Sequence, residues 1–402
     1  MKTEIFRGAL EGAAEIIQKG GLVAVPTETV YGLAGSGLNE DAVQEIYRVK
    51  GRPEVKPLSL MVPGAEAMEQ YCEDVPEAAK VLAKRFWPGP LTIILQSKPQ
   101  VPEIVRAGGQ TVGLRCPDHA KTLELLRLAK LPLAAPSANP SGSPSPKTAE
   151  QVMAYFDGQI DAVIDGGPCG LGVESTILDM SRTPYRILRQ GALPETEITA
   201  ALAEAMTVIG ITGGSGGGKT TALKELEKNG ALIIDCDAVY HELLQTDREL
   251  LHEIETSFPG TVQDGRLDRR ALGQLVFTDE KKLATLNAIT HRHVPREVER
   301  RLRAWAMAGG KLAAIDAIGL IGSGLTERCA AVIGVLADQE TRIARIMERD
   351  AISRDAARLR IEAQRPDSFF EEHCTHIVRN DFGRERFAAD INKILLEVSG
   401  NG

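Results

Sequence analysis

Short apolar runs alternate with amphipathic stretches along this chain, and the two periods predict different elements. Leu22-Val23-Ala24-Val25-Pro26, Leu91-Thr92-Ile93-Ile94-Leu95 and Thr111-Val112-Gly113-Leu114-Arg115 are mostly apolar and of strand length, so they predict buried strands. Asp41 to Lys50 instead places Val43, Ile46 and Tyr47 at helical spacing. Pro140-Ser141-Gly142-Ser143-Pro144-Ser145-Pro146 reads as a turn-rich loop, too stiff at its prolines for a plain flexible linker. Met1-Lys2-Thr3-Glu4 leads into a charged amphipathic helix rather than an apolar signal core.

The second half repeats the alternation with longer helical patterns. Val208 to Thr212, Ala231 to Asp235, Leu312 to Asp316 and Ala331 to Leu336 read as strands. The stretches between them are long enough for crossovers, which predicts a parallel sheet covered on both faces. Glu195 to Ala205 is a polar, Ala-rich helical pattern that ends the first half. The expected division is therefore a domain over 1–195, a linker over 196–206 and a domain over 207–402. Met206 stands directly before the second half, either as the former start of a separate protein or as an ordinary apolar residue. No internal repeat links the halves.

At 402 residues the chain is long for one core, which fits two domains of nearly equal size. Aromatics make up only 4%, so both cores must rely on Leu, Ile, Val and Ala. The net charge of −8 divides into −5 for residues 1–206 (20 Lys+Arg, 25 Asp+Glu) and −3 for 207–402 (27 and 30). Neither half is a polycation, so broad electrostatic binding to nucleic acid is not expected, although a local basic cleft is compatible with these totals. The six cysteines are scattered without a C-x-x-C pair, which argues against zinc ribbons and disulfide scaffolds and suits a reducing compartment. No stretch approaches the roughly 18 apolar residues of a membrane span. A cytoplasmic protein is expected, without a membrane partner.

The most specific chemistry lies at Gly213-Gly214-Ser215-Gly216-Gly217-Gly218-Lys219-Thr220, which follows an apolar strand and fits G-x-x-x-x-G-K-[ST]. Glycines there let successive backbone N–H groups cradle a polyphosphate, aided by the positive end of the next helix. Lys219 would reach the β- and γ-phosphates, and the Thr220 hydroxyl would complete a Mg²⁺ shell. The guanine-reading N-K-x-D sequence is absent, which speaks against a GTPase. Asp235-Cys236-Asp237 ends the next strand, where a carboxylate can accept a proton from an attacking hydroxyl or simply cap a helix. Asp316 closes a third strand as a Walker-B acid would. Arg342, Arg345 and Arg349, with Arg354 after them, form a face that can close over an ATP tail or merely be solvated.

With ITGGSGGGKTT (211–221), IIDCDAVYHELL (233–244), LDRRALGQLVF (267–277), LNAITHRHV (286–294) and IEAQRPD (361–367), residues 207–402 resemble the dephospho-CoA kinase family. The resemblance implies a P-loop domain with a parallel sheet covered by helices, α/β/α, transferring the ATP γ-phosphate to the 3′-hydroxyl of dephospho-CoA. It implies Gly216, Gly217, Gly218, Lys219, Thr220 and Thr221 for ATP, and Asp237, Lys219 and Arg349 for catalysis. Mg²⁺ would come with ATP, and no tightly bound organic cofactor is implied. The family usually carries an acidic residue where this chain has Ile321-Gly322-Ser323-Gly324. His291 and His293 read as structural, with no further ligand nearby in sequence.

The first half offers weaker signals singly. Pro26-Thr27-Glu28-Thr29-Val30-Tyr31-Gly32 places hydroxyls past a strand, and Lys50-Gly51-Arg52-Pro53 with Lys56 places cations at a helix end, where the dipole favours them anyway. Ser137-Ala138-Asn139, Glu174-Ser175-Thr176 and Arg189-Gln190-Gly191 follow. Together, in PTETVYGLAG (26–35), KGRPEVKPLSLMV (50–62), FWPGPLTIIL (86–95), TVGLRCPDH (111–119), APSANPSGSPSP (135–146), GVESTILD (172–179) and ILRQGAL (187–193), they resemble the L-threonylcarbamoyladenylate synthase (YrdC-like) family. That resemblance implies an α/β domain with a twisted mixed sheet, joining L-threonine, bicarbonate and ATP into threonylcarbamoyl-AMP for tRNA modification. It implies Thr29, Met61, Arg115, Ala135 and Ser175 around threonine. It implies Lys50, Arg52, Lys56, Thr111, Ser137, Asn139, Ser145 and Arg189 around ATP. The family has a short form and a form with an extra C-terminal domain, of which residues after 195 show no sign.

The expectation is thus a bifunctional α/β enzyme with ATP, L-threonine, bicarbonate and dephospho-CoA as substrates, and tRNA or its threonylcarbamoyl-transfer machinery as partners. Two alternatives stay open: a first half that is an RNA-binding module, and a second half that phosphorylates another hydroxyl acceptor.

Overall fold

The structure, a computed structural model, describes residues 2–399 apart from Phe277 and Ile318. Phe277, which ends the LDRRALGQLVF stretch, and Met1 therefore lie outside the described residues. The chain divides into two compact units, Met1–Ala205 with Met307–Gly309, and Met206–Ala306 with Gly310–Gly402.

In the first unit ten strands form one sheet: β1 (Glu4–Phe6), β2 (Val23–Val25), β3 (Gly32–Ser36), β4 (Ser59–Met61), β5 (Leu91–Gln96), β6 (Thr111–Arg115), β7 (Leu133–Ala134), β8 (Ala162–Ile164), β9 (Thr176–Asp179) and β10 (Arg186–Arg189). Their order is β1-β8-β2-β3-β7-β4-β6-β5-β9-β10. Parallel pairs such as β4 with β6 and β5 with β9 mix with antiparallel pairs such as β5 with β6. Leu10, Ala13, Ile17, Val23, Val25, Leu125, Leu133 and Ile164 form an aliphatic core on this sheet. The apolar runs are strands because every residue of β2 and β3 is buried. The N-terminal segment departs from expectation: Glu4–Phe6 pairs with Ala162–Ile164 as an edge strand, and the amphipathic helix begins only at Glu11.

Residues 196–206, expected as a linker, are mostly helix. Glu195–Glu204 buries Ile198, Ala201, Leu202 and Ala203, and Glu204 pairs with Arg85 of the helix Glu77–Phe86. The alanine-rich face is short enough to lie flat on that neighbour, so the segment as far as Ala205 belongs to the first unit and Met206 to the second.

The second unit is a five-stranded, wholly parallel sheet. Its strands are β11 (Thr207–Thr212), β12 (Leu232–Asp235), β15 (Leu312–Asp316), β16 (Ala331–Leu336) and β17 (His376–Arg379), with a small hairpin β13 (Val262–Gln263) and β14 (Arg266–Leu267) beside it. The order β12-β15-β11-β16-β17 puts β11 at the centre. Ile209, Ile211, Ala314, Ile333 and Val335 pack with Ala222 and Leu226 of the helix Lys219–Lys228 and with Phe387 and Ile391 of the helix Arg384–Ser399. Register pairs Asp235 with Asp316, so two strand-end carboxylates reach the same sheet edge.

Candidate active sites

In the first unit a cleft of about 180 Å³ opens where β3, β4, β6 and β9 meet the loop 135–138. The loop is held as an extra strand segment: Leu33 N–H donates to Pro136 O, and Ala138 N–H to Tyr31 O. Seven of the implied residues line the cleft, namely Arg52, Met61, Arg115, Ala135, Ser137, Ser175 and Arg189.

Four more stand one bond behind that lining. Thr29 accepts from Arg115 Nη2 at 2.8 Å, and Glu28 takes the same nitrogen at 2.7 Å. Lys50 Nζ donates to the carbonyls of Ser137 and Asn139. Asn139 Nδ2 ties down Pro140 O and Ser143 O, while its buried Oδ1 lacks a partner among the described residues. Ser145 donates to Glu174 at 2.7 Å. The remaining two contribute no lining side chain. Lys56 is exposed and offers its carbonyl to Tyr47 Oη and Arg52 Nε, and Thr111 begins β6 opposite Gln96.

Charge in this cleft is concentrated and partly dry. Burial, with Arg52 adding, pushes the Lys50 ammonium down to about 7. Desolvation also lowers Arg52 and Arg189 from the usual arginine range. Arg189 is fixed by donating to Ser175 O at 2.8 Å and Ser175 Oγ at 3.2 Å, and Thr92 shares a 2.8 Å bond with the same hydroxyl. Glu28, Thr92 and Glu174 were assigned no role in the sequence, although they lie inside the quoted PTETVYGLAG, FWPGPLTIIL and GVESTILD stretches.

In the second unit, β11 runs into Gly213–Gly218 and the helix Lys219–Lys228. Gly213, Gly216 and Gly218 have φ of +138°, +79° and +114°. A Cβ on Gly218 would fall 1.9 Å from Asn380 Nδ2, so only glycine fits there. The loop's carbonyls are held from outside: Ser215 O by Arg342 Nε at 2.9 Å, Gly216 O by Arg345 Nη1 at 3.1 Å, and Gly217 O by Asn380 Nδ2 at 3.2 Å. The Ser215 and Gly217 amides donate to Gln364 Oε1 and Gly214 O, and the Gly216 and Gly218 amides, without a partner among the described residues, are left to face an anion. Gln364, of the IEAQRPD stretch, fastens Ser215 through both its amide groups. Lys219 Nζ rests on Gly213 O at 3.1 Å. Thr220 and Thr221 lie in the first helical turn.

The arginine face is therefore divided. Arg342 and Arg345 hold the loop, whereas the Arg349 guanidinium is paired with Asp350 at 2.8 and 2.9 Å. The two candidate carboxylates also separate. Asp235 is the cap of the helix Cys236–Thr246, accepting from Asp237 N at 2.9 Å and Ala238 N at 3.0 Å. Asp237 instead lines a second cleft of about 350 Å³ with Tyr240, Asn287, His291, Ser323 and Leu325.

Buried Asp316 Oδ1 and Thr212 Oγ1 have no hydrogen-bond partner among the described residues. Burial pushes Asp316 up to about 6, with Lys219 opposing and Asp235 and Asp237 adding. Orphaned hard oxygens beside a phosphate loop that also carries the Thr220 hydroxyl suit Mg²⁺, which prefers oxygen ligands. His293 has more acidic neighbours than its sequence context suggests, with Asp247 at 3.0 Å and Glu253 at 3.5 Å. Arg296 already bridges Asp247 and Glu249 beside it, so the group reads as an ion-pair network.

Comparison with known proteins divides at the same point. The Sua5/YciO/YrdC family model, described as telomere recombination, matches residues 15–191, and the dephospho-CoA kinase model matches 207–385. The chain is 47% identical over 192 residues to the threonylcarbamoyl-AMP synthase of Pyrococcus abyssi, covering 48% of this chain and 56% of that protein. It is 37% identical to a putative threonylcarbamoyl-AMP synthase of Methanocaldococcus jannaschii, covering 48% and 91%. It is 33% identical to the dephospho-CoA kinase of Corynebacterium glutamicum, covering 48% and 98%. The chain spans about half the length of the first synthases it matches, 56% and 55% for those of Pyrococcus abyssi and Bacillus subtilis.

Proposed function

We infer two ATP-consuming reactions from one premise: the chain belongs to the threonylcarbamoyl-AMP synthase family over its first half and to the dephospho-CoA kinase family over its second. The observation that carries the inference is that one unit gathers Arg52, Arg115 and Arg189 around a cleft while the other presents a glycine-rich loop ending in Lys219.

In the first reaction the α-ammonium of L-threonine gives a proton to solvent, and its amine attacks the carbon of bicarbonate to form a carbamate with loss of water. A carbamate oxygen then attacks the α-phosphorus of ATP and pyrophosphate leaves. Arg115, already oriented by Glu28 and Thr29, presents its guanidinium to the threonine carboxylate. Arg52 and Arg189 face the triphosphate, where charge grows as the α-phosphorus is attacked. Lys50 and Asn139 brace the Ser137 loop, and Lys50 supplies a further cation when a phosphate recharges it. Ser175 and Met61 close the threonine side. Thr111 and Lys56 remain proposed ATP contacts, reached only if the nucleotide extends beyond the cleft.

In the second reaction the γ-phosphoryl group passes to the ribose 3′-hydroxyl of dephospho-CoA. Asp237 accepts the proton of that hydroxyl, since it is the carboxylate free of capping duty at the cleft. The backbone amides of the loop and Lys219 hold the β- and γ-phosphates. Mg²⁺ bound with ATP would neutralise charge between the phosphates, and Thr220 and Asp316 would hold it. Arg349 serves the transferring group only after leaving Asp350.

The first product is an activated acyl adenylate, which a tRNA-modifying partner would consume. No helix among the described residues is long and apolar enough to cross a membrane. A cytoplasmic enzyme is proposed, its two activities joined for co-production. Product analysis of the intact chain tests the reading: threonylcarbamoyl-AMP should form from threonine, bicarbonate and ATP, and coenzyme A from dephospho-CoA and ATP. Absence of either product removes that half. A dephospho-CoA analogue phosphorylated faster than dephospho-CoA would favour another acceptor, as the acid-free Ile321–Gly324 loop would permit.

A further inference from the structure

The first cleft has an uneven charge pattern that the reaction scheme leaves unexplained. Its lining includes three arginines, Arg52, Arg115 and Arg189, and among its described lining residues the sole carboxylate is Glu174. Glu28 is acidic too, but it sits behind the cleft, with Oε1 on Arg115 and Oε2 on the Asp118 amide. Glu174 is half-buried and stands at a junction. Ser175, next in the chain, lines the cleft with Arg115 and is one of the residues that the family resemblance puts around threonine. Ser145, which donates to Glu174 Oε1 at 2.7 Å, is one of those that the resemblance puts around ATP.

A zwitterionic amino acid brings one anion and one cation into this space. The arginines answer its carboxylate and the triphosphate, and an ammonium placed among them alone would be repelled. We propose that Glu174 receives the α-ammonium of the amino-acid substrate and aims its nitrogen at the junction where the carbamate forms. The proposal rests on the synthase reading and deepens it. An ionised carboxylate has about four acceptor sites, so the Ser145 bond leaves capacity for a substrate N–H. The Ser145 hydroxyl holds Glu174 below the usual carboxylate range, with Arg189 and Lys147 helping, which keeps it ionised at neutral pH. The assignment makes Glu174 a selectivity residue, distinguishing an α-amino acid from the matching 2-hydroxy acid.

Two measurements on the full chain test this. The first needs no variant: L-threonine and 2,3-dihydroxybutanoate, which replaces the ammonium by a hydroxyl, are compared by calorimetry in the presence of a non-hydrolysable ATP analogue. Wild-type protein should favour threonine by about tenfold or more, the loss expected when a charge-assisted hydrogen bond is missing. Equal binding overturns the proposal. The second uses Glu174→Gln, which should raise the KM for threonine about tenfold, erase the preference, and leave ATP-analogue affinity within about threefold, with Glu174→Asp restoring part of the preference. Loss of ATP-analogue affinity with an unchanged threonine KM would assign Glu174 to the nucleotide instead and overturn it. The synthase reading fails separately, if wild-type protein releases no pyrophosphate when threonine and bicarbonate are supplied.

Discussion

The two proposed phosphate sites are built by opposite means. In the second unit the proposed anion-binding groups are backbone amides of one short loop, Gly213 to Gly218, where the Ser215 and Gly217 amides are already spent on Gln364 and Gly214 and side chains hold three of the carbonyls from outside. In the first unit the groups are side chains gathered from distant places: Arg52 after a helix, Arg115 at the end of β6, Ser137 in a loop and Arg189 at the end of β10. A loop site depends on local conformation and survives most distant changes. A gathered site depends on the whole sheet holding its register, and its cations are partly desolvated as a result.

The largest effect should come from removing one site at a time. Lys219→Ala should lower dephospho-CoA phosphorylation by about a hundredfold or more and leave threonylcarbamoyl-AMP formation within about twofold, as coupled assays of both products would record. Arg52→Ala should do the reverse. Cross-effects of tenfold would mean that the sites are not independent.

A sharper split is expected within the Asp235-Cys236-Asp237 turn. Asp237→Asn should reduce kcat of phosphoryl transfer about a hundredfold or more, with little change in thermal stability. Asp235→Ala removes a cap and should cost about 1 kcal/mol, seen as a lowered melting temperature, with a smaller rate effect. Equal rate losses would deny Asp237 its distinct role.

How far the sequence revealed each site follows from the same contrast. The phosphate loop is readable because its chemistry is local: glycine spacing, Lys219 and the preceding strand all lie within one window. Asp235 and Asp237 were ambiguous in sequence because both fall at one strand-to-helix junction, and only the cap geometry separates them. The support of Asn380 and Gln364 could not be read, since it depends on chain segments more than 140 residues from the loop coming together. In the first unit, strands β2, β5 and β6 were clear from their apolar runs, whereas the edge strand Glu4–Phe6 is too short and too exposed to leave a pattern. The helix over 195–204 was visible as a helix, but its docking against Glu77–Phe86 is a tertiary fact. The cleft's cations became candidates only through family resemblance, because their proximity is a property of sheet order. Glu174 lay in the singled-out Glu174-Ser175-Thr176 run, but its bond to Ser145, 29 residues away, is what brings it to the cleft's junction.

The smallest predicted effect concerns protons. Lys50 has its folded pKa lowered to about 7, so it is mostly neutral at pH 8 in the free protein. A bound triphosphate should restore its charge, so ATP binding to the first unit should take up most of one proton at pH 8 and little at pH 6. The sign for stability follows: burying the charge costs most below about 7, and that cost eases as pH rises from there toward the ordinary lysine value. Calorimetry in two buffers of different ionisation heat, on Lys219→Ala protein to silence the second site, would measure the uptake. Lys50→Met should abolish it.

Independent polyphosphate sites, one per unit, are the central claim, and equilibrium titration with a non-hydrolysable ATP analogue addresses it most directly. Wild-type chain should bind close to two equivalents, with either Lys219→Ala or Arg52→Ala reducing the number to one at the same concentrations. A wild-type stoichiometry of one, or a single variant that removes both equivalents, would contradict it.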